Sequence, residues 1–178
     1  ESLTTEDTRG KNTAVGYRAL KVLNGDADGY NTTMGYDVGV AMTTGVQNTL
    51  IGANAGDALT TGGKNVAIGY LALSTEDAHG DNVAIGASAL TTLDAGASGL
   101  NCAVGYFAGE SVTTGVKNTL IGAQAGDAIT EGFNNIVVGY NAAASAVDVD
   151  NEITLGDANI NAFRCADQSI AALSDGRD

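Results

Sequence analysis

The chain has 178 residues, 21 acidic against 8 basic, and a formal net charge of −13. Its 25 glycines are about twice the usual share of ~7%, proline and tryptophan are absent, and aromatics make up only 5%. That bulk is too small for a thick globular core. The charge excludes nucleic acid as a partner, because phosphate binding needs clustered Lys and Arg, and no run of 18 apolar residues exists to span a membrane.

Along the chain, one short element recurs. It reads NTAVG ending at Gly16, NTTMG at Gly35, NTLIG at Gly52 and NVAIG at Gly69. It continues as NVAIG at Gly86, NCAVG at Gly105, NTLIG at Gly122, NIVVG at Gly139 and EITLG at Gly156. The Gly-to-Gly steps are 19, 17, 17, 17, 19, 17, 17 and 17 residues. Above this unit lies a larger one: Thr43–Gly62 and Thr113–Gly132 match at 16 of 20 positions, four coils apart. A fixed short period is the signature of a solenoid, in which each unit buries its apolar side only by stacking on the next.

Each element is short, β-branched and bounded by Asn and Gly, which reads as a strand. The gaps are too short and aperiodic for a helix. The spacing predicts two or three short strands per coil, stacked about 4.8 Å apart into a rod of roughly 40 Å. The fold class expected is all-β: a parallel β-solenoid or β-roll of about nine 17–19-residue coils over 1–157. Residues 158–178 form a C-terminal lead-in.

The anchor residues acquire roles from this stacking. Asn four before the Gly (Asn12, Asn31, Asn48, Asn65, Asn82, Asn101, Asn118, Asn135) can pass amide hydrogen bonds from coil to coil. The small apolar residue three after the Gly suits a thin interior. Alternate strand residues face opposite sides, and here both sides are apolar: Leu50 and Ile51, for example, or Val137 and Val138. A strand apolar on both faces is buried on both. One face fills the coil, and the other is expected to meet a further copy of the chain.

Chemistry is scarce. His79 stands in the turn STEDAHGDN and reads as a solvated loop residue. No Cys/His cluster has zinc spacing, so no metal, cofactor or catalytic residue is expected. Asp57 and Asp127, at equivalent places in AGDA, read as acidic turn residues, and the GGxGxD calcium motif is missing. Threonine pairs at 43–44, 60–61 and 113–114 skip coils and point to opposite faces, which argues against a flat ice-binding array. Cys102 and Cys165 lie too many coils apart for an intrachain bridge. The two 19-residue coils bulge, so Asn24, Asp26, Asp28 and Tyr30 in the first and Asp94 and Ser98 in the second are the candidate binding residues, together with the tyrosines that follow the Gly.

The units, NVAIGYLAL (65–73) and NVAIGASAL (82–90) above all, resemble the head repeats of trimeric autotransporter adhesins. The resemblance covers about residues 10–157 and implies a left-handed β-roll that trimerises around its inner strands. The C-terminal NEITLGDANINAFRCADQSIAALSDGRD resembles the entry to the endosialidase-type intramolecular chaperone of phage tail fibres and tailspikes. In that family a Ser-Asp-x-Arg motif opens the chaperone and the chain cuts itself before the Ser. The motif is met by Ser174, Asp175 and Arg177, so the implied junction is Leu173–Ser174, and the chaperone itself is missing from this sequence. No signal peptide is visible and the first residue is not Met, which reads as a piece of something longer.

The function expected is structural and adhesive: a non-enzymatic, homotrimeric segment of a phage or phage-like tail fibre, in the virion, that presents loops to a host cell-surface receptor or glycan. The alternative is the head of a trimeric autotransporter adhesin on a bacterial surface. A tailspike depolymerase is a third class, and it would need acidic residues gathered in a groove.

Overall fold

The computed structural model describes residues 2–3, 10–24 and 28–162. Nine three-residue strands follow one another: β1 (Thr13–Val15), β2 (Thr32–Met34), β3 (Thr49–Ile51), β4 (Val66–Ile68) and β5 (Val83–Ile85), then β6 (Cys102–Val104), β7 (Thr119–Ile121), β8 (Ile136–Val138) and β9 (Ile153–Leu155). They form one parallel sheet in strict chain order. The register never slips: Val15 faces Met34, Met34 faces Ile51, and so on to Val138 and Leu155. The chain is a β-solenoid, and no helix occurs among the described residues.

Each coil carries one strand, not the two or three expected. The remaining sides run in turns, and these still bond coil to coil through the backbone: Leu20 N–H donates to Val38 O, and Thr43 N–H to Thr60 O. Three places in each of the first seven coils enter the left-handed region. They are the residue before the Asn (Lys64, φ 60°), the second after the Gly (Leu71, φ 55°) and the fourth after it (Leu73, φ 54°). Non-glycine residues pay a steric cost there, so the stacked hydrogen bonds must hold them; Lys64 N–H donates to Val46 O and Leu71 N–H to Ala53 O. The anchor glycine has a separate need. At Gly69 (φ +137°) an added Cβ would stand 2.5 Å from the carbonyl carbon and oxygen of Gly86 in the next coil.

The interior is one residue thick. The central strand residue points inward, as do the small residue three after the Gly and an aliphatic residue seven after it. Bulk is traded between neighbours. Leu50 fills the space left by Gly39 and Gly56, and Leu120 the space left by Gly109 and Gly126. Where the strand offers only Ala67 or Ala84, the later position is Leu73 or Leu90. A close-packed interior needs that compensation.

The Asn column is a ladder with two rails. The Asn48 side-chain oxygen accepts the Asn65 backbone N–H at 2.9 Å, while its amide donates to Gly62 O at 2.9 Å. The same pair of bonds recurs at Asn101 and Asn118. Glu152 takes the Asn place in the ninth coil and closes the ladder. Its N–H donates to Asn135, and its carboxylate accepts from Ser145 and from Thr154. Those bonds, the Ser145 hydroxyl first, hold the Glu152 carboxyl below its ordinary value.

Candidate functional site

Three surfaces of the rod carry chemistry. The first is the outward face of the sheet. The residues flanking each strand centre point away from the core and run from Val15 to Leu155 without one charged side chain in β1 to β9. Val15 is 50% exposed and Met34 53%, while Ile51 and Ile68 are half-buried. The expected two-sided apolarity is therefore real, with one side sealed inside the coil and the other open on the single chain. Cys102 lies on this face, half-buried and free; Cys165 lies outside the described residues.

The second surface is the row directly after the Gly. The in-register stacking lines up Tyr17, Tyr36, Ala53, Tyr70, Ala87, Tyr106, Ala123 and Tyr140 along one edge. Tyr17 and Tyr36 stack with ring centroids 5.4 Å apart and planes 16° from parallel. The later tyrosines are separated by alanines, so their rings recur every second coil, about 9.6 Å apart. All are more than half exposed, Tyr140 at 69%.

The third is the edge that holds the two long coils. Asp28 and Tyr30 are drawn together in the first: Lys11 Nζ lies 2.8 Å from Asp28 Oδ2 and donates to the Tyr30 hydroxyl at 3.1 Å. The Asp28 hydrogen bond, then Tyr30, hold the Lys11 ammonium above its ordinary value. Asn24 is exposed, with its N–H bonded to Thr43 O at 2.8 Å. Asp26 lies outside the described residues. In the second loop Asp94 and Ser98 are exposed, and Ser98 rims a shallow cleft with His79, Asp81 and Lys64. The register puts the two loops on the same edge, but four coils and roughly 19 Å apart, so they do not form one site. Leu173 and Ser174, the junction implied by the chaperone resemblance, lie outside the described residues.

Two turn positions have partners within the chain. The threonines eight after the Gly are not free for ordering water: Thr43 and Thr60 donate their hydroxyls to the carbonyls of Thr60 and Asp77 one coil on. His79, expected in a solvated turn, is half-buried, and both its backbone N–H (3.0 Å) and its Nδ1 (3.3 Å) meet the Glu76 carboxylate.

Asp57 lies on a polar stack with Arg18, Asp37 and Asn54. Arg18 Nη1 sits 3.2 Å from Asp37 Oδ2, and Asn54 donates to Asp57 Oδ2 at 3.1 Å. Buried Asp37 Oδ1 and Asp57 Oδ1 have no partner. Burial, and the nearby Asp37 charge, push the Asp57 carboxyl above its ordinary value of 3.8. A carboxyl raised in the folded state adds stability only while protonated, and that contribution is lost as pH rises through its folded value. Asp57→Asn removes the charge, so it is expected to raise the melting temperature slightly at pH 7. The advantage should shrink as pH falls through the raised value towards 3.8. Thermal melts of both proteins from pH 7 to pH 3.5 check this; a gain that grows with acid would reverse the sign.

No protein-family model matches the chain, and neither curated proteins nor solved structures give a match to it. No helix among the described residues is long and apolar enough to cross a membrane.

Proposed function

We propose that the chain is a rigid, adhesive segment of a homotrimeric fibre of the phage tail-fibre kind, working outside the cell as part of the virion. One observation carries the reading: a neutral, largely apolar sheet face, broken only by threonines, runs the full length of a rod whose chain bears −13. Apolar surface of that extent marks an interaction site. The partner that repeats at the same rise over the same length is another copy, laid parallel. Three such faces turned inward leave the tyrosine row and the long-coil edge outward, for a receptor or glycan on a host cell. Tyrosine suits sugar binding because its ring offers an apolar platform and its hydroxyl a hydrogen bond.

The adhesin-head reading keeps the same trimer and is favoured by the NVAIG units. Both rest on the same two measurements. Light scattering should give three times the 17.8 kDa chain mass. Labelled protein should bind host cells, and binding should fall when Tyr70, Tyr106 and Tyr140 are changed to Ser or when two residues are deleted from each long coil. A monomer would sink the fibre reading; a trimer that binds no cell surface would leave a shaft and remove the adhesive role.

A further inference from the structure

We propose a divalent-cation site of mixed nitrogen and oxygen ligands, built from Glu76, Asp77, His79 and Asp94 across the fourth and fifth coils. It stands apart from the fibre reading. One ligand atom from each of these side chains lies within 4.8 Å of the others.

The repeat itself supplies the internal control. Seven residues after the Gly, six other coils place Leu23, Met42, Leu59, Leu93, Val112 and Ile129, all buried aliphatic or thioether side chains, and the eighth has Ala146. The fourth coil places Glu76 there, fully buried. Eight after the Gly the usual residue is Thr (Thr43, Thr60, Thr113, Thr130), and the fourth and fifth coils have Asp77 and Asp94 instead. Ten after, where Gly45, Gly62, Gly115 and Gly132 stand, the fourth coil has His79. Four departures from the repeat, each towards a metal-ligating side chain, thus meet in one place.

Electrostatics points the same way. A buried carboxylate is tolerated when it is paired or binds a metal. The Glu76 carboxylate accepts backbone N–H bonds from His79 (3.0 Å) and Ala95 (3.2 Å), which orient it. Its only ion-pair partner among the described residues is His79, which is charged only when protonated. No Lys or Arg among them pairs with Glu76, Asp77 or Asp94. Among the described residues no fixed cation meets the three converging carboxylates, and a divalent ion would supply one.

The donor set selects the ion. Imidazole nitrogen with carboxylate oxygens suits zinc or manganese; a calcium site would use oxygens alone. The 3.3 Å between His79 Nδ1 and Glu76 Oε1 is close to the ~3.4 Å edge of a tetrahedral zinc sphere. Asp77 and Asp94 are exposed and free to close the remaining distance. Since Asp94 comes from the next coil, the ion would tie the two coils where the chain passes from a 17-residue to a 19-residue coil.

The test uses the intact chain, with zinc chloride as the probe in equilibrium dialysis and thermal melting. Wild type should take up one zinc per chain and melt at a higher temperature with zinc than without. The variants restore the repeat's own residues, so the coil keeps its packing. Asp77→Thr with Asp94→Thr should weaken zinc binding at least tenfold. Glu76→Leu should abolish it, and zinc should then leave the melting temperature of that variant unchanged. No uptake by wild type would overturn the site, as would unchanged uptake in the double variant, which would place the zinc elsewhere, on Cys102 for instance. Uptake of calcium but not zinc would overturn the mixed-ligand assignment.

Discussion

Asn118→Ala is expected to destabilise the rod by about 3 kcal/mol, far more than its size suggests. The Asn118 side chain is fully buried; it accepts the Asn135 backbone N–H at 3.0 Å and donates to the Gly132 carbonyl at 2.8 Å. Alanine leaves both backbone groups inside without a partner, and each orphan costs roughly 1–3 kcal/mol. Little of the apolar core is lost, so the effect isolates the ladder. Asn12→Ala at the first coil also removes bonds to Asn31, but at a half-buried place that water can reach, and should cost less. In a solenoid the damage is transmitted only through neighbouring coils. Urea unfolding of the two variants against wild type decides it. A loss below about 1 kcal/mol at Asn118 would mean that water replaces the amide and that the ladder is not what fixes the coils.

That ladder was legible in the sequence because it is periodic. Asn recurs at one place in eight coils, and stacking turns recurrence along the chain into adjacency in space. The same logic exposed the inward small residues and the outward aliphatic face. It worked poorly for the turns. The left-handed corner before each Asn is held by Lys, Tyr, Gln, Asp, Leu or Asn, none of them glycine. Their conformation is imposed by hydrogen bonds to the coil before, such as Gln47 N–H to Gly29 O at 2.6 Å. Local propensity carries no trace of a constraint that comes from the neighbouring coil. The trade of Leu50 against Gly39 and Gly56 was hidden for a related reason, since it joins positions in different coils.

The candidate sites follow the same division. Asp94 and Ser98 were found by loop length, and Asp28 and Tyr30 likewise, but the loops stand four coils apart. Glu76 and His79 were passed over because a single carboxylate or imidazole in a turn says little. The signal lay in comparing coils: where the consensus is Leu and Gly, Glu and His are departures. In a repeat protein the sequence that differs from its own repeat is the part freed from the common packing role.

Charges set into the sheet face should break the assembly and spare the coil. Ile68 and Ile85 are neighbours in β4 and β5, half-buried with their side chains outward, so Asp at both is expected to change the melting temperature of one chain little. In the proposed trimer the same positions lie in the middle of the interface, where a carboxylate loses its water and faces two copies of itself. Each copy already carries −13, so the apolar strip must hold the chains together against their mutual repulsion. The expected result is a fall in mass from three chains to one, 17.8 kDa, with the β-signature of circular dichroism kept. Thr44→Asp, exposed and off the sheet, is the control and should leave the mass alone. For wild type, added salt should tighten the assembly by screening that repulsion. A trimer unmoved by Ile68→Asp and Ile85→Asp would place the contact on another side of the rod, and the tyrosine row would then be the next surface to charge.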